Sequence, residues 1–450
     1  MTRLTIRIAA LLLVLPFGIA AQPIEGKSPG PAAAKAKGHK RVTPKKIVSS
    51  IKTRVRLYSA KASLRTRRTN PARNFRAIAY SQQTQERALN FVGERFAAKS
   101  DDFENPQALN SFFTRLSTAQ AESKPVHILQ YGDSHTASDD WVDEMRKKFQ
   151  ERWGDGGPGF AIPGHPKGYR RFDLTSTNSA GWNIEGGVGK TGDERNGLAG
   201  LSISTNRAGE TVSLTTSGDH LELLFLMQPQ GGNFTISCDG DTIESVSSDG
   251  PLNTGVHDIP TRPGEHTYSI TTTSASPVRL FGWVSEKNEG VTWETLGING
   301  AQLRMMLAWD QDLWIRQLQA RDPALVVLAY GTNEALYPLF NPVSYRADLF
   351  AAIRLIHQAV PQASILLIGP PDCDRRRPFP YLPDVIKIQR EVAQQTNCAF
   401  WNWAAHMNAS GGRELWAEAG LSQTDLVHLT GKGYRMLGDV LANELLAQSH

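Results

Sequence analysis

Short apolar runs alternate with amphipathic stretches in two separate parts of the chain. Residues 126–131 are an apolar run that ends in a Gly-Asp-Ser turn, and the spacing of apolar positions in the residues that follow is helical. The predicted helices are 77–118, 141–153, 309–321, 345–360, 385–396 and 433–447, and the later strands are 324–329, 364–368 and 399–403. Strands that alternate with helices predict an α/β fold with a parallel sheet covered on both faces.

The stretch between these two parts has a different pattern. From about residue 164 to 284 helical periodicity is weak, and short runs rich in Thr, Ser and Gly are separated by Gly-Gly, Asp-Gly and Pro-Gly turn signals. Short strands with regular turns are typical of an all-β sandwich. We therefore expect an α/β domain in two parts, 77–163 and 285–450, interrupted by an inserted β-sandwich at 164–284.

The first 76 residues differ from the rest. Arg3 and Arg7 precede an apolar run over 8–19 that is too short to span a bilayer stably, and small residues follow it. Residues 1–21 are interpreted as a signal peptide, with an uncleaved N-terminal anchor as the alternative. Residues 22–76 are predicted to be a basic, disordered linker. Export to the periplasm or the medium is the expected location.

The overall charge of +5 hides an uneven distribution. Residues 27–76 contain 16 Lys and Arg and no acid, which leaves 31 basic and 43 acidic residues from position 77 onwards. A uniformly basic nucleic-acid-binding surface is therefore not expected. The basic segment favours an anionic envelope surface, or it is a solvated linker without a specific partner, and the composition leaves both open.

The three cysteines do not have metal-ligand spacing. Cys373 and Cys398 can pair in an oxidising compartment. The alternative is that both are small buried thiols, and the sequence supports each equally.

Ser134 lies where the apolar run 126–131 turns into a helix. Ligands of open parallel sheets bind at the carboxyl ends of the strands, so a serine at this position is exposed beside a helix N-terminus. The tripeptide Gly-Asp-Ser is weak evidence alone, and a helix N-cap is the better explanation of Ser134 by itself.

Asp425 and His428 change that balance. They are three residues apart in one loop, so the carboxylate can accept from imidazole Nδ1 and leave Nε2 free as a base. A serine hydroxyl needs such a base to become a nucleophile at neutral pH. The Asn333 amide and the Gly300 N–H are candidate donors to a developing oxyanion, although both residue types are also common in turns.

Four short blocks together resemble a known family, the SGNH or GDSL-like hydrolases. Ser134 lies in Gly-Asp-Ser-His, Gly300 in Gly-Ile-Asn-Gly, Asn333 in Gly-Thr-Asn-Glu, and Asp425 and His428 in Asp-x-x-His-Leu-Thr. They occur in the order typical of that family, each next to a predicted strand or helix end. The resemblance implies a serine nucleophile, a histidine base oriented by an aspartate, and an oxyanion hole.

The resemblance covers residues 124–163 and 292–450. Many members have Asp where this chain has Glu334, and the role of that residue is not carried over. The glycine block of the family is variable, and Gly300 rather than Gly297 is taken as its functional glycine.

The large β insertion is similar in placement to that of periplasmic peptidoglycan O-acetylesterases. This resemblance implies a three-layer flavodoxin-like hydrolase domain interrupted by a jelly-roll or sandwich module that resembles carbohydrate-binding modules. It also implies an exported serine esterase that removes O-acetyl groups from a polysaccharide, with peptidoglycan as the favoured substrate. No cofactor or metal is expected. The alternatives are a polysaccharide O-acetyltransferase with the same triad and a non-catalytic glycan-binding envelope protein.

Several other residues have two possible roles. Trp182, Phe225 and Trp283 can stack on sugar rings, although burial in a core is the preferred interpretation. The arginines 375–377 can meet an anionic substrate, but a solvated loop is favoured. His135 is either structural or part of the cleft, and it is not included in the predicted site.

Overall fold

The computed structural model describes residues 80–98, 103–164, 166, 169–189 and 192–449. The predicted signal peptide and basic linker lie outside the described residues. Among the described helices, none has both the length and the apolar character needed to cross a bilayer.

Eleven α-helices are present in the described residues. They are α1 (Gln82–Phe96), α2 (Asn110–Glu122), α3 (Ser134–Ala137), α4 (Asp140–Trp153), α5 (Gln311–Arg321), α6 (Thr332–Leu336), α7 (Pro342–Ala359), α8 (Leu382–Gln395), α9 (Trp403–Ala409), α10 (Gly412–Glu418) and α11 (Gly431–Leu446). Two short 3₁₀ helices cover Pro106–Leu109 and Leu303–Ala308.

Seventeen strands are present in the same residues. They are β1 (Phe103–Glu104), β2 (Pro125–Gly132), β3 (Gly159–Ala161), β4 (Thr175–Asn178), β5 (Asn183–Gly186), β6 (Leu201–Thr205), β7 (Thr211–Thr216), β8 (His220–Met227), β9 (Asn233–Cys238), β10 (Asp241–Ser247), β11 (Asn253–Asp258), β12 (His266–Thr272), β13 (Val278–Glu286), β14 (Gly290–Gly297), β15 (Leu325–Ala329), β16 (Ser364–Ile368) and β17 (Ala399–Trp401).

The expected parallel sheet is present, with one antiparallel edge. Its strand order is β1-β17-β16-β15-β2-β14, and every pair except β1 with β17 is parallel. Side chains of β15 alternate between two buried clusters, one that includes Val326 and Leu328 and another that includes Leu325 and Val327. Helices α5, α7 and α8 contribute to the first cluster and α1, α2, α4 and α11 to the second. Both faces of the sheet are therefore buried, which is why its strands are nearly continuous apolar runs.

Strand β14 is the element that the apolar pattern did not predict. All eight of its residues are buried, yet Thr292, Glu294 and Thr295 interrupt the apolar run. Arg321 Nε donates to Glu294 Oε1 at 2.8 Å, and Arg146 Nη2 donates to Thr295 Oγ1 at 3.1 Å. Buried partners from distant parts of the chain satisfy these polar groups, so the strand has no recognisable sequence period.

Two antiparallel sheets are formed by strands of the central region. Their orders are β10-β9-β12-β7-β4 and β11-β8-β13-β6-β5, and β3 also pairs with β13. Trp182, Phe225 and Trp283 are buried in a cluster to which both sheets contribute. The core interpretation of these aromatics is confirmed, and sugar stacking by them is ruled out by their burial. The domain bounds at 164 and 284 and the flavodoxin-like layering remain predictions.

All three cysteines are free thiols, so the pairing of Cys373 with Cys398 is wrong for this structure. Cys398 is fully buried, and its pKa is raised to about 11 by burial. The alternative of a small buried thiol is therefore correct for Cys398, whereas Cys373 is only partly buried.

Candidate active site

The register of the parallel sheet brings three of the sequence blocks to one edge. Gly132, at the end of β2, pairs with Gly297 of β14 on one side and with Ala329 of β15 on the other. Ser134, Gly300 and Asn333 lie shortly after these three strand ends. Residues separated by almost two hundred positions are thus neighbours at the carboxyl edge, where open parallel sheets bind ligands.

Ser134 is the first residue of helix α3. Asp133 caps this helix, because its carboxylate accepts from the His135 N–H at 2.9 Å. A side chain at Gly132 would overlap the Thr136 hydroxyl and the Ala329 carbonyl, so only glycine allows the strand to turn this closely into the helix. The serine N–H lies in the first helical turn, where backbone donors have no partner within the helix.

Ser134, His428 and Asp425 form a continuous hydrogen-bonded chain. Ser134 Oγ lies 2.7 Å from His428 Nε2, and His428 Nδ1 lies 2.5 Å from Asp425 Oδ2. The carboxylate accepts a hydrogen bond from Nδ1–H, which leaves Nε2 free to accept one from the serine hydroxyl. The three side chains therefore have the geometry of a nucleophile, a base and an orienting acid.

The two oxygens of Asp425 have separate tasks. Oδ2 bonds the imidazole, while Oδ1 accepts from the N–H groups of Val427 and His428 at 2.9 and 3.0 Å. Half-burial alone would raise the pKa of Asp425, but these hydrogen bonds outweigh it and hold the pKa well below its usual range. The same carboxylate folds the loop and stays ionised beside the histidine.

Asn333 contacts the residue that precedes Ser134, whereas Gly300 lies in the turn after β14. Asn333 Nδ2 donates to the Ala301 carbonyl at 2.9 Å and makes a longer contact of 3.4 Å with Asp133 Oδ2. Gly300 has a positive φ of 76°, and a side chain there would face only Val188 at 3.6 Å. Gly297, in contrast, lies against the Ala137 backbone, so it is a packing glycine where β14 meets α3. The geometry is consistent with choosing Gly300, although its function stays a prediction.

Two buried acids near the site were missing from the sequence-based assignment. Burial raises the pKa of Asp133 to about 6, although the hydrogen bond from the His135 N–H acts in the opposite direction. Burial raises the pKa of Glu334 to about 7. The Leu303 N–H, which donates to Oε1 at 2.7 Å, acts in the opposite direction. Asp133 directly precedes Ser134, and Glu334 directly follows Asn333. These positions next to the motif residues were the sole signal in the sequence.

His135 is packed against His428 and does not line an open cleft. It is 2% exposed, its Nδ1 lies 2.7 Å from the Tyr434 hydroxyl, and its ring centroid is 5.2 Å from that of His428. Burial, and then the charge of His428, lower the pKa of His135 well below its usual value, so it is neutral at pH 7. The structural interpretation of this residue is the correct one.

The three consecutive arginines have different environments. The Arg375 side chain is 89% exposed and pairs with Glu414, as expected for a solvated loop, and Arg376 pairs with Asp374. Arg377 departs from that expectation, because its Nη1 donates to the backbone carbonyl of Asp425 at 2.8 Å.

Two groups of side chains in the described residues have donor atoms close enough for a metal ion. One consists of Cys238, Asp239 and His266, and the other of His127, Glu286 and Glu294. In the second group, the guanidinium of Arg321 bonds both glutamates. None of these side chains belongs to the Ser134 site.

The sequence matches the profile of the GDSL-like lipase/acylhydrolase family over residues 267–436. That range includes Gly300, Asn333, Asp425 and His428 but begins after Ser134. No curated protein matches the chain. The family resemblance drawn from the four blocks is confirmed by this match together with the structural similarity below.

A solved peptidoglycan O-acetylesterase is similar in structure, with a TM-score of 0.65, 28% identity and coverage of 75% of this chain and 96% of that protein. A family two carbohydrate esterase from Cellvibrio japonicus is more distant, with a TM-score of 0.27, 12% identity and coverage of 61% and 98%. The acetyl xylan esterase AlAXEase has a TM-score of 0.29, 17% identity and coverage of 34% and 81%. Only the first similarity extends over the fold as a whole.

Proposed function

We propose that the chain, which matches the GDSL-like lipase/acylhydrolase family over residues 267–436, is an exported serine esterase that removes O-acetyl groups from peptidoglycan. The observation that carries the proposal is the hydrogen-bonded chain from Ser134 through His428 to Asp425. The extended similarity to a peptidoglycan O-acetylesterase supports the substrate class. The apolar run at 8–19 supports export.

In the first half of the reaction Ser134 Oγ attacks the acetyl carbonyl. Its proton passes to His428 Nε2, and the electron pair of the C=O bond moves to the oxygen. Asp425 stabilises the imidazolium without taking its proton. Collapse of the tetrahedral intermediate breaks the bond to the sugar oxygen, which takes the proton from His428 and leaves as an alcohol. The acetyl group remains on Ser134.

The oxyanion is held by the N–H groups of Ser134 and Gly300 and by Asn333 Nδ2. The longer contact of Asn333, at 3.4 Å to Asp133, is the one that an oxyanion replaces, while the 2.9 Å bond to Ala301 keeps the amide in place. Such a donor contributes about 3 kcal/mol to transition-state stabilisation. Water then repeats the cycle on the acetyl-enzyme and releases acetate.

Residues after β5 supply one wall of the cleft. Val188 is 52% exposed and lies beside Gly300. The chain that continues from it is anchored to the hydrolase part, because Leu198 N–H donates to Gln317 Oε1 at 2.7 Å and its carbonyl accepts from the Tyr131 hydroxyl at 3.1 Å. A glycan bound at Ser134 therefore passes along the β-rich region, which gives that region a role in substrate selection.

The decisive experiment is acetate release from O-acetylated peptidoglycan and from acetylated xylan by the purified protein, with Ser134→Ala as control. We expect faster release from peptidoglycan and a loss of at least a thousandfold, on the order expected for a missing nucleophile, in the variant. Preference for xylan would contradict the substrate. Transfer of acetyl to an added glycan in place of hydrolysis would contradict the esterase assignment.

A further inference from the structure

The carbonyl oxygens of the catalytic loop, residues 425–428, are held by two arginines. Arg377 Nη1 donates to the Asp425 carbonyl at 2.8 Å. Arg413 Nη2 donates to the carbonyls of Val427 and His428 at 2.6 and 3.1 Å. Because the Asp425 side chain occupies the N–H groups of the same loop, both sides of this short backbone segment are fixed by charged groups.

Arg413 is unusual among the buried arginines. It is 0% exposed, and among the described residues no carboxylate forms an ion pair with its guanidinium. Its Nε and Nη1 atoms are buried and without a hydrogen-bond partner in the same part of the chain. Arg146 and Arg321, which are also buried, each pair with two or more carboxylates.

A buried cation without a carboxylate partner is costly to the fold. Burial also lowers the pKa of Arg413, which shows that its environment disfavours the charge. A fold that needed only to fill this space would be better served by an apolar side chain. The cost is understandable if the guanidinium acts on the loop that it touches.

We propose that Arg413 is the positioning residue of the acid–base pair: its guanidinium fixes the backbone at Val427 and His428 and thereby holds the imidazole against Ser134. This role rests on the proposed esterase function. A displacement of about 1 Å at a reacting group can cost on the order of a hundredfold in rate. The rate gained from a rigid loop can therefore offset the stability lost by burying the charge.

Two substitutions separate position from charge. Arg413→Lys keeps the charge but loses the planar fork that reaches two carbonyls, and Arg413→Met loses both. On a small acetyl ester we expect kcat to fall about tenfold for Lys and on the order of a hundredfold for Met, with KM changed less than threefold.

Two control variants show whether loss of an arginine at a position other than 413 has the same effect. Arg375→Met removes an exposed guanidinium near the site, and Arg321→Lys perturbs a buried one at the opposite end of the sheet. Both are expected to keep kcat within twofold. Unfolding is followed for every variant by circular dichroism.

A kcat of Arg413→Met within threefold of the unaltered protein overturns the proposal, as does a loss of kcat/KM that arises mainly from a higher KM. If the Met variant does not fold, Arg413→Lys decides: a tenfold lower kcat at native-like stability supports the proposal and an unchanged kcat overturns it. Absence of acetyl-ester hydrolysis in the unaltered protein contradicts the proposed function instead. The positioning claim is then tested by whether the His428 ring resonances broaden in Arg413→Lys.

Discussion

The two ends of the parallel sheet both contain buried charges, but the charges are satisfied in different ways. At the start of the strands, Arg321 bonds Glu286 and Glu294, and its Nη2 lies 2.9 Å from His127 Nδ1. At the carboxyl edge, Arg413 bonds only backbone carbonyls. The arginine of the first cluster is paired with carboxylates, whereas Arg413 directs its charge at the loop that contains Asp425 and His428.

The titratable groups at the two ends are alike in one respect. Burial raises the pKa of Glu294 at one end and of Asp133 and Glu334 at the other. Glu294 Oε2 and Glu334 Oε2 both have no hydrogen-bond partner in the described residues. The two ends therefore differ in what their buried arginines bond, which is carboxylates for Arg321 and backbone carbonyls for Arg413.

The largest effect is expected from Asp425→Asn at the catalytic end. The amide would present a donor to His428 Nδ1 and favour the wrong tautomer, so kcat should fall on the order of 10³- to 10⁴-fold. Steady-state kinetics on an aryl acetate measure this. Retention of a tenth of the activity would show that Asp425 is not the orienting acid.

The opposite end should respond in stability and not in rate. Arg321→Met leaves two buried glutamates without their cation, and the loss of unfolding free energy should be about 3–5 kcal/mol. Arg115→Met, which removes an exposed pair with Asp322, is the matched control and should cost about 1 kcal/mol or less. Chemical denaturation gives both values. A change in kcat per folded molecule beyond twofold for Arg321→Met would break the comparison between the two ends.

Asn333→Ala tests the oxyanion donor. We expect kcat to fall about 10²- to 10³-fold, with a smaller change in KM, because the interaction strengthens in the transition state. Asn341→Ala is the control, since Asn341 caps α7 by accepting from the Ser344 N–H, and its loss should cost about 1 kcal/mol of stability without an effect on kcat. A fall of less than fivefold for Asn333→Ala would remove this residue from the oxyanion hole.

Glu334→Gln tests the buried acid through pH. The folded-state pKa of about 7 lies above the ordinary value of 4.5, so the protonated acid stabilises the fold below the ordinary value, and this stability is lost as pH rises towards 7. The loss is on the order of 3 kcal/mol at most. Melting temperatures between pH 5 and 8 should decline less for the variant than for the unaltered protein. Parallel curves would show that Glu334 is not titrating in this range.

Much of the fold could be predicted from local pattern. The run at 324–329 is fully apolar and the run at 364–368 is apolar after Ser364, and they became β15 and β16, because strands buried on both faces need few polar positions. The strand predicted over 399–403 ends at Trp401 in the structure. Asn402 instead accepts from the Ala405 N–H and caps α9. Capping competes with strand pairing, and a strand pattern does not indicate which one prevails.

The candidate site was found from the sequence only as far as its motifs reach. Ser134, His428 and Asp425 were selected because their residue types suit a nucleophile, a base and an orienting acid. The structure brings the three side chains within hydrogen-bond distance. Arg413 was not selected. It lies 15 residues from His428 in a stretch without a motif, and its significance arises only from what it touches.

The sequence by itself determined the alternation of strands and helices, the change to β structure in the middle of the chain, and the four blocks of catalytic residues. These features are local, because periodicity and motif chemistry depend on neighbouring positions. The tertiary structure decided the strand β14, the free state of the cysteines, the burial of the three aromatics and the environments of Arg377, Arg413 and Glu334. Each of these depends on partners far away along the chain, and burial and hydrogen bonding exist only once those partners have met.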